Sequence, residues 1–346
     1  MKTLIRRADL ESDRLPLIGF LREFLTPLSD ERRFDWLYRE NPYGKALAWI
    51  AVNQKSGAII GTAAAFPRPI SGLGNQPIGH VLGDFCIHPH FRSIGPALAL
   101  QRACVQELTS GSSSVGYDFP SEAMMAIYHR LGSVSSAQMI RMAKPLRVDR
   151  KIGEKVKLRG AARGLSSVGN RLLKWRDRVR RVNGVEQIGL HTAGFGVEFS
   201  ELAARALAED KVCVARTREY LNWRFLANPM QRFEMLTARR DTQLAAYVIF
   251  IQEGENARIV DLFGSDDSGL LSRLVVESVN LLRERRVMTL SAPVLASHSH
   301  AALLRRLGFH GRETYPVVFY YPQRTGIPDS PVRQSAWLLM DGDRDS

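Results

Sequence analysis

Residues 80–109 read HVLGDFCIHPHFRSIGPALALQRACVQELT. Val81 to Ile87 is mostly apolar and reads as a buried strand, interrupted by one carboxylate, Asp84. His88-Pro89-His90-Phe91 makes a turn, and Arg92-Ser93-Ile94-Gly95-Pro96-Ala97 leads into a helix over Ala97 to Leu108. A strand, a small-residue turn and a helix start together make a place for an anion. The first helical turn has backbone N–H groups without partners, and the macrodipole adds partial positive charge there. Gly95 permits close approach, Pro96 suits a first turn where its missing N–H costs nothing, and Arg92 adds a permanent cation. An ordinary strand-to-helix turn also needs small residues. The full spacing R-x-x-G-x-A, directly after an apolar strand and a proline, is what narrows the reading.

Upstream, Leu4 to Arg6 is a short strand, Arg14 to Leu25 has helical apolar spacing, and Asp30 to Glu40 is a second helix with Asp30 as N-cap. Ala46 to Val52 and Ala58 to Phe66 are paired strands, the second expected to end at Pro67 and Pro69. Downstream come a strand over Ser114 to Phe119, a helix over Ser121 to Leu131 closed by Gly132, and a strand over Gln138 to Ala143. Much of this order then repeats. Asp35-Trp36-Leu37-Tyr38-Arg39-Glu40-Asn41-Pro42 recurs as Asn222-Trp223-Arg224-Phe225-Leu226-Ala227-Asn228-Pro229, each followed by two strands. Gly83-Asp84-Phe85 is matched by Val260-Asp261-Leu262, and the Tyr128 helix by Leu303 to Gly308, where Leu304 replaces the tyrosine.

The segment Ile87-His88-Pro89, Arg92, Gly95 and Ala97 resembles the pyrophosphate loop of the GNAT superfamily of acyl-CoA N-acyltransferases. The resemblance covers most of residues 1 to 320. It implies an α/β chain of two tandem GNAT folds, each a mixed, mostly antiparallel sheet flanked by helices. The second copy is degenerate: Gly264 to Gly269 replaces the anion turn, without arginine and with two carboxylates that repel a pyrophosphate. The expected domains are 1–146 with the acetyl-CoA loop, a basic linker at 147–190, the second copy at 191–322 and a C-terminal tail at 323–346. That tail either frays or folds back and lends Trp337 or Asp341 to the cleft. Its Asp341, Asp343 and Asp345 have calcium-like spacing but no downstream ligands, so no metal is expected.

Acyl transfer to an amine needs a cradle for the cofactor, a polarised thioester carbonyl, a base and an acid. The resemblance implies acetyl-CoA as co-substrate, held by Cys86, Ile87, His88, Arg92, Ser93, Ile94, Gly95, Pro96, Ala97 and Ser121. Tyr128 matches the family's thiolate protonator, with Ser121 and Met124 standing where the family pattern has Asn and Ala. Asp84 and His88 are the base candidates. Plainer roles stand beside these: Tyr128 packed on the sheet, Asp84 in a structural hydrogen bond, His88 lining a turn. Asp84 demands a partner in any case, because an unpaired carboxylate on an apolar strand is costly.

Composition bounds the rest. The 346 residues are 45% hydrophobic with a net charge of +13 and three cysteines, which form no metal or disulfide pattern. Residues 141 to 182 hold fifteen Arg and Lys against three acids, nearly all of the excess. Within them Leu165, Val168, Leu172, Trp175, Val179 and Val182 fall near one helical face. One reading is a linker helix packed on the fold through Leu172 and Trp175; the other lays it on an anionic bilayer. The charged opening MKTLIRRADLESDR is unlike a signal peptide, so a cytoplasmic protein is expected, with peripheral placement at the inner membrane left open. Tandem copies with this W-x-x-x-x-N-P element resemble proteins of bacterial polysaccharide biosynthesis, which implies a small amine acceptor, an amino sugar among them. Two other readings are a Fem-type aminoacyl-tRNA-dependent transferase and a non-catalytic docking protein. The retained CoA-type turn argues against nucleic acid as partner.

Overall fold

The computed structural model describes residues 2–73, 78–92, 94–110, 115–132, 135–149, 152, 159–179, 187–206, 211–265, 267–321 and 336–344. The first copy contains β1 (Thr3–Arg7), α1 (Arg14–Phe24), α2 (Glu31–Phe34), β2 (Leu47–Asn53), β3 (Ile59–Ser71), β4 (Ile78–Ile87), α3 (Ile94–Ser110), β5 (Gly116–Asp118), α4 (Glu122–Leu131) and β6 (Ser135–Pro145). Helix α5 (Arg159–Val179) connects to the second copy. There follow β7 (Gln187–His191), α6 (Val197–Ala206), β8 (Val212–Val214), α7 (Arg218–Leu221), β9 (Glu234–Arg240), β10 (Gln243–Glu253), β11 (Asn256–Gly264), α8 (Ser268–Glu284), β12 (Thr289–Leu295), α9 (Ser299–Arg306), β13 (His310–Tyr320) and β14 (Trp337–Leu338).

The strands join in one sheet in the order β1-β2-β3-β4-β5-β13-β6-β12-β11-β10-β9-β7. Read from its two ends, this order is the same: β1 answers β7, β2 answers β9, and so on inward to β13 and β6. The last strand of each copy lies in the other's half, β13 against β5 and β6 against β12, and these two strands pair with each other. Neither half completes its sheet alone.

The repeated Trp element explains how the halves meet. Asp30 caps α2 by accepting from the Arg33 amide at 2.8 Å, and Thr217 caps α7 in the same way through Tyr220. Each short helix then widens into a π-turn, over Asp35–Arg39 and Asn222–Leu226. The widening brings Trp36 and Trp223 face to face, with ring centroids 5.1 Å apart. Each indole N–H donates to the other's backbone carbonyl, at 2.9 and 3.0 Å, so the buried donors are satisfied reciprocally.

Two sequence expectations change, and a third point, left open between fraying and folding back, is resolved. First, β3 runs through Pro67 and Pro69 to Ser71. The pairing of β2 ends at Leu47–Ala65, so the missing proline N–H groups fall on an edge that β2 has already left. Second, α5 is not packed through Leu172 and Trp175, which are 60% and 66% exposed. Its inner face is polar. Asp177 accepts from Lys144 at 2.7 Å and Arg283 at 2.6 Å, and Asn170 bonds Asp149 and the Val148 amide. Third, residues 336–344 fold back into the protein. Trp337 and Leu338 pair in parallel with β8, and β8 in turn pairs with the far end of β3.

Candidate active site

The core strand β4 alternates its side chains between two layers. Val81 packs with the buried cluster shared by the two copies, and Leu82 with the layer under α3 and α4. Its parallel contact with β5 spans only His80–Gly116 and Val81–Tyr117, after which the strands part. A bulge lies just beyond that point. The pairing of β3 with β4 slips between Thr62 and Ala64, and Asp84 takes a left-handed φ of 46°. An extra residue bends the strand close to where its pairing with β5 ends. The His88 amide is committed to the Ile60 carbonyl at 2.9 Å, and Cys86 is paired with Thr62 in the same ladder. Amides alternate along a strand, so of the three expected there, only the Ile87 N–H faces the opened side.

Beyond β4, Pro89–Phe91 forms one 3₁₀ turn and α3 begins at Ile94. A Cβ placed on Gly95 would meet nothing within 4 Å, so the space over this helix start is open. Ala97 is buried, whereas Ile94 is half exposed. Arg92 is exposed, and its Nε reaches back to the Ile87 carbonyl at 3.3 Å. Ser93 lies outside the described residues. No Asp or Glu occurs between Phe85 and Gln106, so nothing acidic in the local sequence opposes an anion. The geometry fits a pyrophosphate on backbone N–H groups, with Arg92 beside it.

The acid and base candidates are all engaged. Asp84 is buried and accepts from both Arg33 guanidinium nitrogens, at 2.9 and 2.7 Å, and from Tyr38 Oη at 2.7 Å. His88 is half-buried against Phe24, and its Nδ1 accepts from the His90 amide at 3.2 Å. Tyr128 is fully buried; its hydroxyl donates to Asp118 and accepts from Gln101 at 2.9 Å. Burial first, and the Asp118 charge second, push this phenol well above its usual range, so it stays protonated. Ser121 caps α4 by accepting from the Met124 amide at 3.3 Å. Burial pushes the Cys86 thiol up to about 11, with its Sγ against the Phe24 carbonyl at 3.1 Å, so it stays an inert thiol. The sequence reading missed Asp118, Gln101 and Arg33. Asp118 alone left a signal, a carboxylate closing an apolar strand.

The second copy repeats the scaffold and closes it. Asp261 also lies at a bulge and is held by Arg216, at 3.0 and 3.1 Å, and by Tyr247 at 2.9 Å. Strands β11 and β12 pair only over Asn256–Arg258 and Thr289–Ser291 before parting. The tail takes the vacated place. Leu339 accepts from the Leu295 amide at 3.1 Å, Met340 bridges Val294, and a Cβ on Gly342 would lie 2.9 Å from the Val260 carbonyl. At the helix start, Asp267 accepts from the Gly269 and Leu270 amides at 2.9 and 3.1 Å. The N–H groups that would receive an anion already hold a carboxylate.

Known proteins place this architecture. No family profile matches the sequence, and no curated protein matches it. Solved structures do match. A probable N-acyltransferase from Enterococcus faecalis V583 superposes with a TM-score of 0.64 at 11% identity, covering 93% of this chain and 73% of that one. A GCN5-related N-acetyltransferase from Anabaena variabilis ATCC 29413 gives 0.63 at 14% identity, covering 92% and 73%. A tandem GNAT protein from the clavulanic acid biosynthesis pathway gives 0.55 at 15%, covering 92% of this chain and 98% of that one. The chain has the tandem GNAT fold, with a degenerate second copy.

Proposed function

We propose that the first copy transfers an acetyl group from acetyl-CoA to a small amine. The observation that carries this reading is the open start of α3 beside the parted strands β4 and β5, set against the closed counterpart in the second copy. Acetyl-CoA supplies the acyl group as an activated thioester. Backbone N–H groups at Ile94 and Gly95, with Arg92, hold the pyrophosphate. The Ile87 N–H faces the parted edge, where a thioester carbonyl would lie. The family resemblance makes Tyr128 the proton donor to the leaving thiolate, and for this its Oη–H must turn away from the Asp118 carboxylate that holds it. The Arg33–Asp84–Tyr38 cluster locks the bulge, which assigns Asp84 to positioning. The amine must lose a proton as the C–N bond forms, and His88 is the candidate base that reaches solvent. The family resemblance of the Trp element points to an amino sugar of a polysaccharide pathway as acceptor. Calorimetry with acetyl-CoA tests the reading: one site per chain is expected, and no binding overturns it.

A further inference from the structure

Helix α5 is turned against the usual rule. A surface helix points its apolar face at the core and its polar face at water. Here Leu165, Val168, Leu172 and Trp175 are 53%, 56%, 60% and 66% exposed, while Ser166 and Asp177 are buried. At about 100° per residue these four apolar residues span one narrow arc, and Asn170 and Asp177 lie opposite. Bonding on the inner side holds the inversion. Lys144 and Arg283 grip Asp177 from the strand and helix beneath, and Asp149 and the Val148 amide grip Asn170. A groove of about 880 Å³, lined mainly by charged and polar residues, separates α5 from α8.

We propose that this face of α5 is a docking surface for an anionic lipid bilayer. Two observations select lipid over a second copy of the chain. Arg171 is exposed and flanks the apolar stripe, within a segment that holds fifteen basic and three acidic residues, whereas Lys174 lies opposite the stripe and lines the groove toward α8. Two such faces brought together would set like charges against each other, whereas an anionic surface complements them. Trp175 lies within the exposed stripe, and an indole suits the boundary between acyl chains and headgroups. No helix among the described residues is long and apolar enough to cross a membrane, so the helix would lie flat in the interface. This surface is independent of the acyl-transfer reading and survives its failure.

The chain carries its own probe. Of the five tryptophans, Trp36, Trp49, Trp223 and Trp337 are buried, so an emission change on adding vesicles reports Trp175. Vesicles of phosphatidylcholine with phosphatidylglycerol are expected to shift the emission to the blue and to co-sediment the protein at low salt; pure phosphatidylcholine is expected to do neither. Arg171→Gln should weaken binding roughly fivefold, whereas Lys174→Gln, on the opposite side of the helix, should change it little. Leu172→Ser with Trp175→Ser should abolish it, and all four side chains are exposed enough to leave the fold intact, which circular dichroism checks. Trp175→Phe should keep co-sedimentation and lose the blue shift. The proposal is overturned by the absence of binding to anionic vesicles, by binding that Leu172→Ser with Trp175→Ser retains, or by sedimentation velocity showing lipid-free self-association that this variant removes.

Discussion

The two halves share a scaffold and differ at two points, and both differences put the chain's own atoms where a ligand would go. In the first half the helix start carries Gly95 under open space; in the second, Asp267 occupies the equivalent amides. In the second half the split between β11 and β12 is filled by the tail around Gly342. The buried carboxylates at the two bulges were kept, although the arginines that hold them come from different places. In the repeat register Arg33 aligns with Tyr220, and Arg216 lies about one helical turn earlier. A bulge needs its buried charge neutralised whether or not a ligand binds beside it. The lesson is that the Asp marks the shared fold, whereas the turn is where the two copies differ.

The largest effects are expected at these ion pairs. Arg216 binds both Asp261 and Asp343, whereas Arg33 binds Asp84. Arg33→Leu should therefore cost about 3–5 kcal/mol by stranding a buried charge, and Arg216→Leu should cost more. Urea denaturation of the two variants compares the halves directly; equal or reversed losses would show that Asp343 adds nothing. Next, Gly95→Glu should weaken acetyl-CoA binding on the order of 10²-fold or more by setting charge against charge at short range. Gly269→Glu should leave it nearly unchanged, and calorimetry showing equal losses would end the asymmetry.

Tyr128→Phe should lower turnover by about 10²-fold while acetyl-CoA affinity holds, since a proton donor acts in the transition state. Steady-state rates on the true acceptor check this, and an unaltered rate would leave Tyr128 a packing residue. Below that comes a pH effect. Burial, and then the Arg68 charge, lower His80 from its ordinary value to about 4. A depressed pKa gives stability that is present above about 6.5 and is lost as pH falls toward 4. Melting temperature should drop over that window, by the equivalent of about 3 kcal/mol, and His80→Gln should remove part of the drop. A variant that tracks the unmodified protein would clear His80. The smallest effect is Asp267→Ala, which should cost about 1 kcal/mol through the lost cap. If phosphate then protects the helix start against hydrogen exchange, the carboxylate was standing in for an anion.

The turn before α3, the order of elements and the repeat were legible in the sequence because they rest on local chemistry: apolar spacing, turn residues and helix caps. Asp84 could be marked as needing a partner, but Arg33 is 51 residues away and no local rule selects it. Asp118 gave only a weak signal, since a carboxylate at a strand end is common in exposed loops, and its bond to Tyr128 depends on how α4 packs on the sheet. The expectation that α5 would bury Leu172 and Trp175 failed for a reason of the same kind. Its apolar stripe was plain in the sequence, but which way it faces is set by Asp177 meeting Lys144 and Arg283 from two other elements. Pattern determined that the chain would build two related α/β halves, one with an acid-free turn and the other with an acidic one. Tertiary structure decided the exchange of β6 and β13, the wedge of the tail and the outward face of α5, because each depends on contacts between residues far apart in the chain.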